Sequence, residues 1–215
     1  MLPSPEDIAA RVRRGGIIAI LRGDFAVDDM LRLGEALLAG SVNIMEVTLN
    51  SAQALAALPV LRQRLGSDML VGAGTVRWAT QVQPALEAGA QFLVSPNFDP
   101  ATVARAKAAG LLHLPGIFTP TEAQTAFASG CAMVKLFPAD TVGPAYLKAL
   151  RAPLDDIEFV PTGGISLDNI AAYARAGASA VGLGSQLITG RSQPSAELTA
   201  RAAALRAAWQ EARRG

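Results

Sequence analysis

The sequence predicts a single (β/α)8 barrel, and three observations lead there. First, a glycine closes a helical segment and opens an apolar strand seven times, at Gly16, Gly40, Gly66, Gly89, Gly110, Gly130 and Gly177. Glycine suits that position because a helix C-terminus takes up a left-handed conformation there. Second, the successive gaps are 24, 26, 23, 21, 20 and 47 residues, and the last, about two units long, contains an eighth apolar run, "DDIEFVPTGG" at 155–164, preceded by Pro153 instead of glycine. Third, Ala- and Leu-rich segments with helical spacing lie between the strands, and strands that alternate with helices pair in parallel.

In chain order, "PEDIAARVRR" reads as a leading helix and "RRGGIIAILR" as the first strand. The segment "DDMLRLGEALLA" puts Met30, Leu33 and Leu37 at helical spacing. The second to sixth strands follow in "SVNIMEVT", "SDMLVGAGT", "AQFLVSP", "LLHLPG" and "CAMVKLFP". The seventh lies in "DDIEFVPTGG", "DNIAAYARA" is a helix, and "ASAVGLGS" is the eighth strand. Residues 194–213 form a closing helix, and with no linker in view, residues 1–215 are expected to make one domain. The competing architecture is a doubly wound open sheet, which usually has fewer strands in this length and a less even repeat.

Composition narrows the functions. Hydrophobic residues make up 51% and charged residues 17%, with a formal net charge of +1, which excludes a disordered chain and gives no basic footprint for nucleic acid. The polar N-terminus does not read as a signal peptide, and no run approaches the roughly 20 apolar residues of a membrane span. One cysteine, Cys131, and one histidine, His113, cannot assemble a Cys/His zinc site, and a reducing cytoplasm is the expected setting. Cys131 and His113, set among apolar neighbours, are read as packing residues, and the arginine pairs at 13–14 and 213–214 as solvated helix ends.

In a barrel of this class the active site lies where strands end and helices begin. Those ends are polar here: Arg22 on the first strand, Glu46 and Thr48 on the second, Thr75 on the third and Asn97 of "SPN" on the fourth. The fifth ends in Pro115 and Gly116, the sixth in Lys135 and Phe137, the seventh in "PTGG" and the eighth in "GLGS". Lys135 stands out because the chain has three lysines against sixteen arginines, and this one is flanked by Met133, Val134, Leu136 and Phe137. Lys135 shares a face with Met133, as Glu46 does with Ile44, although parity does not say which face is inward. A plain buried salt bridge with Glu46, or a Lys135 that snorkels to solvent, is the alternative. A lysine desolvated among apolar groups has its pKa lowered and can attack a carbonyl to form a Schiff base, while a neighbouring carboxylate moves protons.

The glycines of the seventh and eighth strand ends, Gly163, Gly164 and Gly184, with Ser185, lie where barrels often bind phosphate, and a helix N-terminus is expected to add to the anion site. Tight turns are the competing explanation for these glycines.

The strings "EVTLNS", "VGAGTV", "VSPN", "PGIFTPTEA", "VKLFPAD", "FVPTGGI" and "GLGSQL" resemble, in order, the KDPG/KHG aldolase family over about residues 15–190. The resemblance implies a (β/α)8 barrel and class I cleavage of a 2-keto-3-deoxy-6-phospho sugar acid to pyruvate and glyceraldehyde 3-phosphate, with no metal or cofactor, and a homotrimer. It makes Lys135 the Schiff-base lysine and Glu46 the general acid/base. It gives Thr75 the pyruvyl carboxylate, Phe137 the pocket wall, and Thr162, Gly163, Gly164, Gly184 and Ser185 the phosphate. Thr48, Asn50, Pro96 and Asn97 complete the expected substrate contacts. Asn50 stands where many relatives have arginine, and Arg22 is expected to supply the missing charge, a combination also seen in the galactonate branch. "LNS" and "SPN" resemble phosphogalactonate aldolases, whereas "PTGG" and "TPTE" resemble the phosphogluconate enzymes, towards which the reading leans. A barrel that binds or isomerises phosphorylated metabolites without covalent chemistry is the alternative of a different class.

Overall fold

The structure, a computed structural model, describes residues 3–214. Nine strands occur among them: β1 (Ile17–Leu21), β2 (Ile44–Thr48), β3 (Leu70–Gly74), β4 (Phe92–Val94), β5 (Leu112–Leu114), β6 (Gly116–Ile117), β7 (Met133–Leu136), β8 (Glu158–Pro161) and β9 (Val181–Leu183). The α-helices are α1 (Pro5–Gly15), α2 (Val27–Ala39), α3 (Ala54–Leu65), α4 (Val82–Glu87), α5 (Pro100–Ala108), α6 (Pro120–Ala128), α7 (Gly143–Arg151), α8 (Ile170–Arg175) and α9 (Ser195–Ala212). Three helices start alike, with a side-chain N-cap and a proline at the first position: Ser4–Pro5, Asp99–Pro100 and Thr119–Pro120. The cap accepts from an otherwise unpaired amide, and proline has no amide there to lose.

All pairings are parallel, in two sheets ordered β5-β4-β3-β2-β1-β9 and β6-β7-β8. The ring closes where Thr162 bridges Gly182 and the Ser179 amide donates to Phe159 O at 2.9 Å. The fifth strand expected from sequence is therefore two pieces. Pro115 has no N–H for the ladder and splits it, leaving β5 in one sheet and β6 in the other. Gly116 then fits against the Pro96 backbone, where a Cβ would overlap Pro96 C and O.

Inward residues alternate along the strands. Ile18, Ile44, Leu70, Phe92, Leu114, Met133 and Val160 form an inner cluster, and Ile8, Ala9 and Val12 of α1 join it, so α1 plugs the strand-start end. The outward faces build a second layer with the helices. Small and large residues interleave across neighbouring strands: a Cβ on Gly72 would lie 2.5 Å from the Phe92 ring, and one on Gly182 would overlap the Thr162 side chain.

Six of the seven repeat glycines have positive φ, from 59° at Gly66 to 98° at Gly130. Gly40 does not. Its φ is −89°, and the left-handed residue is Ser41 at 62°. Gly40 is needed for close approach instead, because a Cβ there would lie 2.5 Å from Ala202 Cβ and 2.7 Å from Thr199 O of α9.

His113 faces outward between the inward Leu112 and Leu114. Ser95 Oγ donates to the Val76 carbonyl and so accepts from His113 Nε2, 2.7 Å away. Burial pushes the imidazole down to about 4, so it packs as a neutral ring. No helix among the described residues is long and apolar enough to cross a membrane.

Candidate active site

The strand-end rim brings together residues from seven strands. On β2, alternation puts Glu46 and Thr48 inside with Ile44, and on β7 it puts Lys135 inside with Met133. The face that sequence parity leaves open is thus the inner one for both groups. Glu46 is 1% exposed and Lys135 2%. They are electrostatically coupled but do not form an ion pair among the described residues, so the plain salt bridge is not what is found. Glu46 Oε1 is buried without a hydrogen-bond partner.

Burial dominates both ionisations. It pushes the Glu46 carboxyl above its ordinary value, against the opposing pull of Lys135 and Arg22. It pushes the Lys135 ammonium below its ordinary value; Glu46 opposes that and the Arg22 charge adds to it. The Lys135 Nζ lies 4.8 Å from the Phe137 ring centroid. Space for the carboxylate comes from β3, where a Cβ on Gly74 would lie 2.6 Å from Glu46 Oε1.

The next residue, Thr75, has φ 58°. A β-branched residue in the left-handed region is a genuine outlier that costs roughly 1–3 kcal/mol. It is held by ladder bonds on either side, Leu49 N to Gly74 O at 2.8 Å and Val76 N to Val94 O at 3.1 Å. That strain turns the Thr75 backbone out of the strand at the rim.

Phe137, whose ring Lys135 Nζ approaches, also lines a cavity of about 330 Å³ together with Arg22, Thr162, Gly163, Gly164, Gly184 and Ser185; Lys135, Glu46 and Thr75 are not among its lining residues. The two glycine-bearing strand ends, neighbours through the Thr162–Gly182 bridge, thus line one cavity. Gly163 and Gly164, at φ 104° and 64°, are required by the turn itself. Gly184 is different, since its φ is not positive and a Cβ there would meet nothing within 4 Å. Neither backbone nor packing requires that glycine, and it opens onto the cavity. After β8 a loop intervenes before α8 begins at Ile170; after β9 the chain makes a single turn on the rim, where the Leu187 and Ile188 amides both donate to Gly184 O at 2.9 Å, and the next helix among the described residues, α9, begins at Ser195.

Asn50 is exposed and does not line the cavity, whereas Arg22 does. Pro96 is half-buried and Asn97 exposed beside β6, where the Gly116 amide donates to Asn97 O at 3.2 Å. Ser51, unpredicted, is buried between two loops: its Oγ is 2.9 Å from Thr48 Oγ1 and accepts from the Gly23 amide at 3.1 Å. Only its place directly after Asn50 in "TLNS" hints at this. Gln186 and Thr189 also line the cavity from a loop with no motif.

The fold agrees with the comparisons. A family model described as KDPG and KHG aldolase matches residues 8–200. The 2-dehydro-3-deoxy-phosphogluconate aldolase of Treponema pallidum is 44% identical over 148 residues, which cover 68% of this chain and 70% of that protein. The 2-dehydro-3-deoxy-6-phosphogalactonate aldolase of Escherichia coli is 38% identical over 189 residues, 87% of this chain and 91% of that one. The solved structure of the Legionella pneumophila KDPG aldolase, with pyruvate captured as a covalent carbinolamine intermediate, superposes with a TM-score of 0.86 at 28% identity, covering 94% of this chain and 98% of that one. With its barrel, its inward lysine and carboxylate and these matches, the chain belongs to the KDPG and KHG aldolase family and is a carbon–carbon lyase.

Proposed function

We propose that the protein is a class I aldolase that cleaves 2-keto-3-deoxy-6-phosphogluconate to pyruvate and D-glyceraldehyde 3-phosphate. One observation carries the reading: a buried lysine amine and a buried carboxyl with an unpartnered oxygen share the barrel interior beside a cavity that opens onto glycine-rich strand ends.

The lowered pKa of Lys135 leaves more of it as neutral amine, which attacks C2 of the keto acid. The raised pKa of Glu46 lets it hold the proton that expels the carbinolamine hydroxyl as water, giving the iminium. The Glu46 carboxylate then takes the C4 hydroxyl proton, the C3–C4 bond breaks, and its electron pair flows into the iminium as an enamine. Glyceraldehyde 3-phosphate departs, C3 is reprotonated, and water releases pyruvate from Lys135. In this reading the strained Thr75 backbone receives the pyruvyl carboxylate, Phe137 walls the iminium, Arg22 supplies positive charge in place of the exposed Asn50, and the rim at Thr162–Gly164 and Gly184–Ser185 receives the phosphate.

Incubation with pyruvate followed by borohydride reduction tests the covalent step. A mass increase on the peptide that contains Lys135, absent in Lys135→Ala, is expected. A folded protein that gains no mass would instead be a barrel binding phosphorylated metabolites without covalent chemistry.

The gluconate preference rests on "PTGG" and "TPTE", whereas "LNS" and "SPN" favour the galactonate epimer at C4. One hydrogen bond to the C4 hydroxyl decides such a choice. Side-by-side kcat/KM values on the two epimers are expected to favour the gluconate, with turnover of both. A large galactonate preference would reverse the assignment.

A further inference from the structure

The arginine pairs 13–14 and 213–214 lie about two hundred residues apart in the chain, yet they meet. Together with Arg206 they line a cleft of about 260 Å³ in which no carboxylate appears among the described residues. A larger, contiguous cleft of about 700 Å³ shares Arg14, Arg206 and Gln210 and adds Arg11, Ser41, Asn43 and Asp68. Gly15, Asn43 and Asp68 all sit just before strands, so both clefts lie on the strand-start face, opposite the active site.

Most of this charge is held in place without being cancelled. Of the six arginines only Arg13 is ion-paired among the described residues, to Glu6 and Glu158. Three others are fixed by carbonyl oxygens: Arg11 Nη2 donates to Asp68 O at 2.6 Å, Arg206 to Gly15 O at 2.6 Å and Arg14 O at 2.8 Å, and Arg213 to Ala178 O at 2.8 Å. A carbonyl satisfies a donor but leaves the cation its full charge. The bland explanation is compensation of helix dipoles, since α1 and α9 both end here. Two helix C-termini supply roughly one unit of negative charge together. With Asp68 and the two carboxylates on Arg13 also counted, about two of the six guanidinium charges remain unbalanced. Burial, then repulsion from Arg14 and Arg62, lowers the Arg11 pKa. Because the chain as a whole carries only +1, the cluster is a local feature.

We propose that this face binds a small polyphosphate, an anion with two or more linked phosphate groups. The arginine fork suits phosphate oxygens, and two joined clefts suit a chain of them better than one isolated ion. The clefts are confined to one end of the barrel and form no extended stripe, which favours a small anion over a nucleic acid.

The test is calorimetric titration of the full chain with tripolyphosphate at low salt, alongside Arg14→Glu/Arg214→Glu and Arg14→Gln/Arg214→Gln. The expected result is loss of one binding event per chain in both variants, with kcat and KM for aldol cleavage unchanged. In the wild type, that event should weaken at least tenfold on going from low to physiological salt. Identical titrations in all three proteins would place every bound phosphate in the strand-end cavity and overturn the proposal, as would no binding to the wild type. Equal or tighter binding of a short DNA duplex, lost in the same variants, would overturn the assignment to a small anion. Failure of the aldolase reading would appear separately, as no turnover in any of the three.

Discussion

In the proposed function, Lys135 and Glu46 serve the chemistry at a cost to stability. Each is buried against its charged form, and each charge partly restores the other's. Removing the carboxylate removes the influence that holds the Lys135 pKa up. In Glu46→Gln, the pH at which pyruvate trapping is half-maximal is therefore expected to fall below the wild-type value. Turnover should drop about 10²–10⁴-fold through loss of the proton carrier. Trapping rates and steady-state kinetics across pH check both, and a midpoint that rises or stays put would mean the two groups do not interact. The special character of Lys135 was legible in the sequence because lysine is scarce here and its neighbours are apolar. The role of Ser51 was not, because a short hydroxyl residue in a turn gives no signal until its partners are known.

Between elements, Ser51 ties the end of β2 to the loop after β1. Its hydroxyl meets Thr48 and accepts from Gly23, the neighbour of Arg22. Ser51→Ala breaks both contacts and leaves the Gly23 amide without that partner, so the loop carrying Arg22 loosens. KM is expected to rise several-fold with kcat nearly unchanged, because in the proposed function Arg22 binds substrate and does not react. Steady-state kinetics decide this, and a loss confined to kcat would put Ser51 in the chemistry instead. At the same scale Pro115 splits the fifth strand. A missing N–H shows in sequence, but which sheet each half joins depends on the neighbours, Asn97 at one edge and Lys135 at the other. Likewise the glycine at position 40 was visible, whereas its cause, contact with α9, was not.

For the whole molecule, burying an amine and a carboxyl in the barrel costs folding free energy. Replacing buried ionisable groups with neutral ones of similar size is often neutral or stabilising by about 1–4 kcal/mol, and at this size each kcal/mol moves a midpoint by about 2–4 °C. The double variant Glu46→Gln/Lys135→Met should therefore be inactive and melt several degrees higher. The pH dependence follows by linkage. The lowered Lys135 pKa means that the unfolded chain binds that proton more tightly, so its contribution to stability rises with pH from the lowered value up to the ordinary one. The raised Glu46 pKa acts oppositely, its contribution falling as pH rises from the ordinary carboxyl value to the raised one. Both slopes should vanish in the double variant, and thermal melts across pH measure them. The sequence by itself determined the alternation of strands and helices, the parallel pairing and the polar strand ends, because periodicity and turn chemistry are local properties of the chain. Only the tertiary structure decided that Lys135 and Glu46 face inward without an ion pair, that α1 plugs the barrel and that the two arginine pairs share one cleft. Those facts depend on ring closure, which sets the inward face and joins chain ends that no local pattern relates.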